Sequence, residues 1–544
     1  MTTSRSVFTR RTLGLGAFAT TALTALQPQI AFADSGGFSV SGRHGPFLSQ
    51  VGQRRFDIRG GGSGAMGLAS DTVNLGRYQA ARIRMPQTEA KIAELLAGLD
   101  GQWPYAKGGP LQVQILGVNY YNAYSLPDGS IVVAFGLLDG AKSDDEVAFV
   151  LAHELGHVRL NHFAHQPNTQ QNRAHLASSM ATFLTVASAL PIGGAPGAAL
   201  SAANEAGATN DLIHFMANVM VEPSHTREQE DEADCIGYDL SQKASYSPDA
   251  ATARVFDTIQ ADQVQREQAV DSLNKQFDTK LNQAVSPSTA QSLLSGGGRN
   301  GLIESAGLFA LSMAASASGG HEQPQHRPPE ERKRGIAQYS TEAYPQGAPL
   351  RDEQHGWLDS VRASHEYQQG RIAVRSVAAA KLARANGRYG EADAALDSAA
   401  HTTFAYSPLV LNEAARLADD QGDQHAAGRF FMAANKSPDQ TVDGYVDFVQ
   451  MLYRHGQNDQ ANQVIQEGVA RFNNDAKPFI ALMIAVARQE GRDEQVESYL
   501  HTCQGYNNDN LLRDCRLAAG QSAEAPPQQA PHIPSSLPFS LPHF

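Results

Sequence analysis

Between positions 111 and 138 the chain alternates in twos. Leu111, Val113 and Ile115 interleave with Gln112 and Gln114, which predicts a strand. A short apolar run from Ser130 to Phe135 predicts a second, with Leu126-Pro127-Asp128-Gly129 as the turn between them. The period then changes. Ser143-Asp144-Asp145-Glu146 reads as a capping box, and Val147, Val150, Leu151, Leu155 and Val158 fall on one side of the helix it opens. Further on, Glu228 to Asp234 is acidic and precedes Ile236-Gly237-Tyr238-Asp239-Leu240, which predicts another helix start.

A longer period governs the C-terminal third. Gly387, Gly422, Gly456 and Gly491 are 34 or 35 residues apart. Five residues after each comes Ala392, Ala427, Ala461 or Val496; nine after, Leu396, Phe431, Ile465 or Leu500; twelve after, Ala399, Ala434, Gly468 or Cys503. A turn glycine followed by small, large and small positions fits degenerate tetratricopeptide repeats over 371–518. Arrays of this kind present a concave surface to protein partners.

Composition narrows the class. The chain has 544 residues, 42% hydrophobic, and a mean hydropathy of −0.35, which excludes a multipass membrane protein. A net charge of −13 argues against nucleic acid as a partner. Arg5, Arg10 and Arg11, the apolar stretch Leu13 to Leu26 and Ala31-Phe32-Ala33 form a signal peptide over 1–33. Thr9-Arg10-Arg11-Thr12-Leu13 resembles a twin-arginine signal; the alternative is an ordinary secretory signal with two adjacent arginines. Removing it takes the charge to −16 and makes the mature protein extracytoplasmic. Residues 521–544, rich in Pro, Gln and Ser, read as a disordered tail. Ala174 to Leu190 is apolar and small, either a lid-like helix or a peripheral membrane contact, and about 263–320 reads as an insertion able to cover a site.

The chemistry concentrates in His153-Glu154-Leu155-Gly156-His157. Four residues advance a helix by about 400°, so both imidazoles project from one face and can reach one Zn²⁺. Glu154 falls beside the metal, where a base is needed to take a proton from water. The acidic run around Glu230 is the strongest candidate for a third ligand, against the simpler reading that it complements a helix dipole.

These motifs resemble the zinc metallopeptidase family that contains HtpX and the CAAX prenyl proteases, and within it the periplasmic BepA-like subgroup, which joins the peptidase to tetratricopeptide repeats. The resemblance rests on the H-E-L-G-H motif, on Asn122 to Ile131, on Gly136-Leu137-Leu138 and on Glu230-Asp231-Glu232-Ala233-Asp234. It implies an α+β zincin-like peptidase domain over 34–345, mainly helical with a small sheet and long insertions, followed by an all-α tetratricopeptide solenoid. It further implies one zinc ion held by His153, His157 and Glu230, with Asp234 orienting a zinc histidine. The segment 130–135 is expected to pair with extended substrate backbone. His326-Arg327-Pro328-Pro329-Glu330-Glu331-Arg332 resembles a family stretch that has Pro where Arg327 stands. Through it His326 is either catalytic or a latch on zinc, and Arg332 supports the site. The implied function is a periplasmic endopeptidase acting on unfolded or misassembled envelope proteins in outer-membrane protein quality control. Its partners would be polypeptide substrates and, on the repeats, the β-barrel assembly machinery. The alternative is a chaperone-like binding module with a latent peptidase.

Other histidines fall outside those motifs: His162, His165 and His225 read as surface residues. Cys235 reads as a small buried residue. Cys503 and Cys515 either form a disulfide that staples the last repeat to a capping helix, or Cys503 packs reduced in the small position.

Overall fold

The computed structural model describes residues 38–51, 82–162 (except 106, 108, 110, 120, 127 and 128), 225–264 (except 262 and 263), 327–346 and 356–521 (except 473, 507 and 508). The signal, the apolar 174–190 stretch, the 265–320 insertion, His165, His326 and the tail lie outside them. Among the described residues no helix is long and apolar enough to cross a membrane.

Two helices, α1 (Phe47–Gln50) and α2 (Pro86–Asp100), precede a sheet of three strands, β1 (Gln112–Leu116), β2 (Ala123–Ser125) and β3 (Ser130–Ala134). The spatial order is β1-β3-β2, with β1 parallel and β2 antiparallel to β3. The sequence predicted two strands here. β2 is only three residues long and wholly buried, so it shows no alternation to read. Gly129, at φ 85°, closes the β2–β3 hairpin by donating its N–H to the Leu126 carbonyl at 3.0 Å. The order also corrects the expectation for 130–135. β3 is the central strand with a partner on each side, so any backbone-pairing role of this sheet falls to one of its end strands, β1 or β2.

After α3 (Phe135–Gly140) comes α4 (Asp144–Arg159), which carries the H-E-L-G-H motif. Ser143 caps it by accepting the Glu146 N–H at 3.4 Å. Only this half of the predicted capping box forms: the Glu146 carboxylate accepts from Lys142 N and Arg254 Nε instead. Helix α5 (Arg227–Lys243) opens on a complete box, Thr226 with Gln229. The two helices meet through glycines. A Cβ on Gly237 would lie 3.1 Å from the His153 backbone nitrogen, and one on Gly156 would lie 3.2 Å from Ile236. Helix α6 (Pro329–Ala343) packs on α5.

The C-terminal region is a run of helix pairs. After α7 (Gly356–Arg362) come α8 (His365–Ala385) and α9 (Tyr389–Ala400), α10 (Pro408–Asp420) and α11 (Gln424–Asn435), α12 (Val442–Arg454) and α13 (Asn458–Arg471), then α14 (Ile480–Gln489) and α15 (Asp493–Gly505). The four periodic glycines sit in the four turns between paired helices, at φ 68°, 83°, 69° and 68°, where a Cβ would be strained. The small and large positions counted from them are buried. A disulfide joins Cys503 on α15 to Cys515 on α16 (Asp509–Ala518).

The helix pairs are not hung on a linker. One apolar core runs from Phe47 to Leu417, including the first of them. Phe135 stacks on Tyr367 of α8, centroids 4.9 Å apart, and Leu409 of α10 packs against Gly117 beyond β1. Helix termini are satisfied across the same boundary. Glu366 accepts the Gln87 and Thr88 N–H groups that open α2, and Asp144 accepts those of Trp357 and Leu358 on α7. Arg362 donates to the carbonyls of Leu138 and Ala141 at the end of α3.

Candidate metal centre

Helix α4 puts His153 and His157 one turn apart on the face that looks at α5. Their Nε2 atoms are 3.1 Å apart. Glu230, in the opening turns of α5, brings Oε2 to 3.6 Å from His153 Nε2 and Oε1 to 3.4 Å from His157 Nε2. A carboxylate that merely complemented the helix dipole would stay in water; Glu230 is 1% exposed. Two imidazole nitrogens and one carboxylate oxygen thus converge within 4.8 Å, in a buried setting. Three donors of this kind fit the protein ligand set of a zinc site.

Glu154 is also buried, with Oε1 4.0 Å from His153 Nε2. Its other oxygen accepts the Ser125 hydroxyl of β2 at 2.9 Å, so the sheet sets the orientation of the carboxylate. Asp234, one turn after Glu230, lies 2.9 Å from His153 Nδ1. Arg332 of α6 holds Asp234 with a two-pronged grip, Nε to Oδ2 at 2.9 Å and Nη2 to Oδ1 at 2.6 Å. The guanidinium is stacked over Phe256. Helices α5 and α6 therefore back one histidine: with Asp234 Oδ1 2.9 Å from Nδ1, a proton on that nitrogen leaves the Nε2 lone pair for a metal.

The two histidines differ electrically. Burial pushes both toward the neutral form. At His153 the hydrogen bond and charge of Asp234, with Glu230 and Glu154, outweigh it and raise the pKa above the usual imidazole value. At His157 burial wins with help from neighbouring His225, and the pKa falls well below it. Burial drives Asp234 upward, but Arg332 and His153 prevail and hold it below the usual carboxylate range.

His162 and His225 are not surface residues, contrary to the sequence expectation. Each is only 4% exposed, and both lie against His157. His162 Nδ1 is 2.9 Å from His157 Nδ1, and the His225 ring stacks on His157 with centroids 3.8 Å apart. The turn that allows this is Asn161, at φ 53°, which ends α4 in the left-handed region and folds the next residue back beneath the helix. An asparagine just past the last apolar position is a legible signal for such a turn; the contact with His225 is not.

Arg327, which stands where the resembling family has Pro, forms a buried ion pair with Asp231, Nε to Oδ1 at 2.9 Å. The departure thus ties the start of α6 to α5. Cys235 is buried and carries a free thiol, as expected of a packing residue.

Comparison with known proteins agrees with this geometry. Residues 86–280 match the family model described as peptidase family M48. Over 147 residues the chain is 31% identical to the mitochondrial metalloendopeptidase OMA1 of Arabidopsis thaliana, covering 27% of this chain and 25% of that protein. It is 28% identical over 158 residues to the metalloprotease YcaL of Escherichia coli (29% and 52%). It is 30% identical over 144 residues to the beta-barrel assembly-enhancing protease of Yersinia pestis (26% of each). The segment bearing the His153, His157 and Glu230 cluster matches peptidase family M48, and the similarity extends to beta-barrel assembly-enhancing proteases. These matches span about a quarter to a half of the relatives' own lengths.

Proposed function

We propose that the chain is a zinc-dependent endopeptidase, exported to the periplasm, that hydrolyses peptide bonds of unfolded or misassembled envelope proteins. The observation that carries the reading is the convergence of His153, His157 and Glu230 within 4.8 Å, with Glu154 beside them, in a segment of the M48 family. His153, His157 and Glu230 would hold the ion. A bound zinc supplies Lewis acidity to a substrate carbonyl and lowers the pKa of water. Glu154 supplies the base. Its Oε1 takes the proton from the attacking water and returns it to the leaving nitrogen, while Ser125 holds Oε2 and stops the carboxylate from turning away. Asp234 and Arg332 hold the His153 ring in place.

The helix pairs form, in this proposal, a tetratricopeptide solenoid that receives a protein partner. The beta-barrel assembly-enhancing protease of Yersinia pestis supports outer-membrane protein quality control as the setting and the assembly machinery as the partner. His326 joins the site as a catalytic histidine or a latch: loss of activity in His326→Ala assigns the first role, a gain the second.

The test is Glu154→Gln in the full chain, with bound metal and cleavage of an unfolded protein such as casein measured together. Metal content should stay at one zinc per chain and the rate should fall by about 10²–10⁴-fold. Cleavage at the wild-type rate would remove Glu154 as the base, and a chain with no zinc before or after would remove the metal reading.

A further inference from the structure

Beyond the three converging ligands, a second trio of nitrogens, on His157, His162 and His225, also lies within 4.8 Å. It does not have the geometry of a second metal site. His157 and His225 are stacked nearly parallel, 19° apart at 3.8 Å. An imidazole lone pair lies in the ring plane, so two parallel rings aim their lone pairs alongside each other and not at one ion. The separation of 2.9 Å between the Nδ1 atoms of His157 and His162 is a hydrogen-bond length.

We propose that Glu232, His162 and His157 form a directed hydrogen-bonded chain, in which His162 is a positioning residue that holds His157 for the metal. The direction follows from the ligand end. For His157 to turn a lone pair at Nε2 toward Glu230, its proton must sit on Nδ1. That N–H donates to His162 Nδ1, which must then be the bare nitrogen. The His162 proton therefore sits on Nε2, facing Glu232 Oε2 at 3.3 Å. His162 is held from a second side: Gln229 Nε2 donates to its carbonyl at 3.0 Å. His225 covers the face of His157 and keeps its ring plane.

The arrangement parallels the support of His153 but is one link longer. Helix α5 supplies a ligand, Glu230, and a carboxylate for each histidine, Asp234 directly and Glu232 through His162. Partners that orient a ligand histidine in this way set metal affinity as well as rate.

This inference rests on the proposal that His157 is a ligand, and the experiment separates the two. Zinc dissociation constants of the full-length protein, measured by chelator competition, are compared for wild type, His157→Ala, His162→Leu and His162→Asn, with the melting temperature of each apoprotein. His162→Asn keeps an acceptor where Nδ1 was; His162→Leu keeps bulk but no acceptor. Affinity should fall by about 10–100-fold in His162→Leu and stay within about threefold of wild type in His162→Asn, at similar apoprotein melting temperatures. Wild-type affinity in His162→Leu, with zinc lost in His157→Ala, overturns the chain and leaves the ligand reading standing. Equal losses in both His162 variants overturn it in favour of packing. Two ions per wild-type chain, falling to one in both His162 variants, would replace it with a second metal site. Zinc retained by His157→Ala removes the ligand reading itself.

Discussion

Asp239 is a closely held carboxylate outside the metal-ligand cluster. It is fully buried on α5 and accepts from Leu48 N at 2.8 Å, Tyr344 Oη at 2.7 Å and Tyr339 Oη at 2.8 Å. Burial dominates these three donors and pushes its pKa from 3.8 to about 6. The folded state then binds this proton more tightly than the unfolded chain. Its contribution is fully present below about pH 4 and is lost as pH rises through 6, by at most about 3 kcal/mol. Asp239→Asn, which can keep an oxygen toward Leu48 and turn its amide to Tyr344, should lack this loss. Melting curves of both proteins between pH 4 and 6 should therefore diverge as pH falls, with the wild type gaining. Parallel curves would mean that Asp239 titrates normally.

At the scale of elements the site depends on how closely α4 and α5 approach. Gly237 stands where any side chain would press on the backbone of His153 at 3.1–3.2 Å. Gly237→Ala should push the helices apart by a few tenths of an ångström and destabilise the fold by about 1–3 kcal/mol. Zinc affinity should fall with it, since Glu230 and His153 sit on opposite sides of the gap. Unchanged affinity would show that the neighbouring backbone yields at no cost. Much of this was legible in the sequence, because its causes are local. Paired histidines four apart need only a helix, a capping serine announces α4 and an acidic run α5, and a left-handed turn between helices calls for the glycines at 387, 422, 456 and 491. What escaped depends on distant residues. His162 is polar and looks solvated until α5 brings Gln229 and Glu232 to it from 67 and 70 positions later, with His225 just ahead of that helix. β3 looks like any other short strand until β1 and β2 flank it. The half-formed box at Glu146 is lost to Arg254, more than 100 residues away.

The whole molecule is joined more firmly than its period suggests. The resemblance divides it near 345–371, yet Phe135, Met85 and Leu409 are buried across that line. Expressed without residues 356–544, the chain would expose Phe135 and Met85 and leave the first N–H groups of α2 without Glu366. Each large apolar side chain so uncovered costs about 1.5–3 kcal/mol. The fragment should be aggregated or poorly folded by light scattering and circular dichroism. A soluble fragment with a cooperative melt would mean that the two parts fold alone. The carboxylate of Asp144, which holds α7, sits in the first turn of α4, nine residues before His153, or about 14 Å along the axis. A module on a flexible tether offers its cargo to an active site at an effective concentration averaged over all linker conformations. Here that average collapses to a single distance. If, as proposed, the helix pairs grip a polypeptide and Glu154 is the base, a scissile bond must lie at the right reach from Glu154, so cleavage would depend on how many residues separate the gripped segment from the bond.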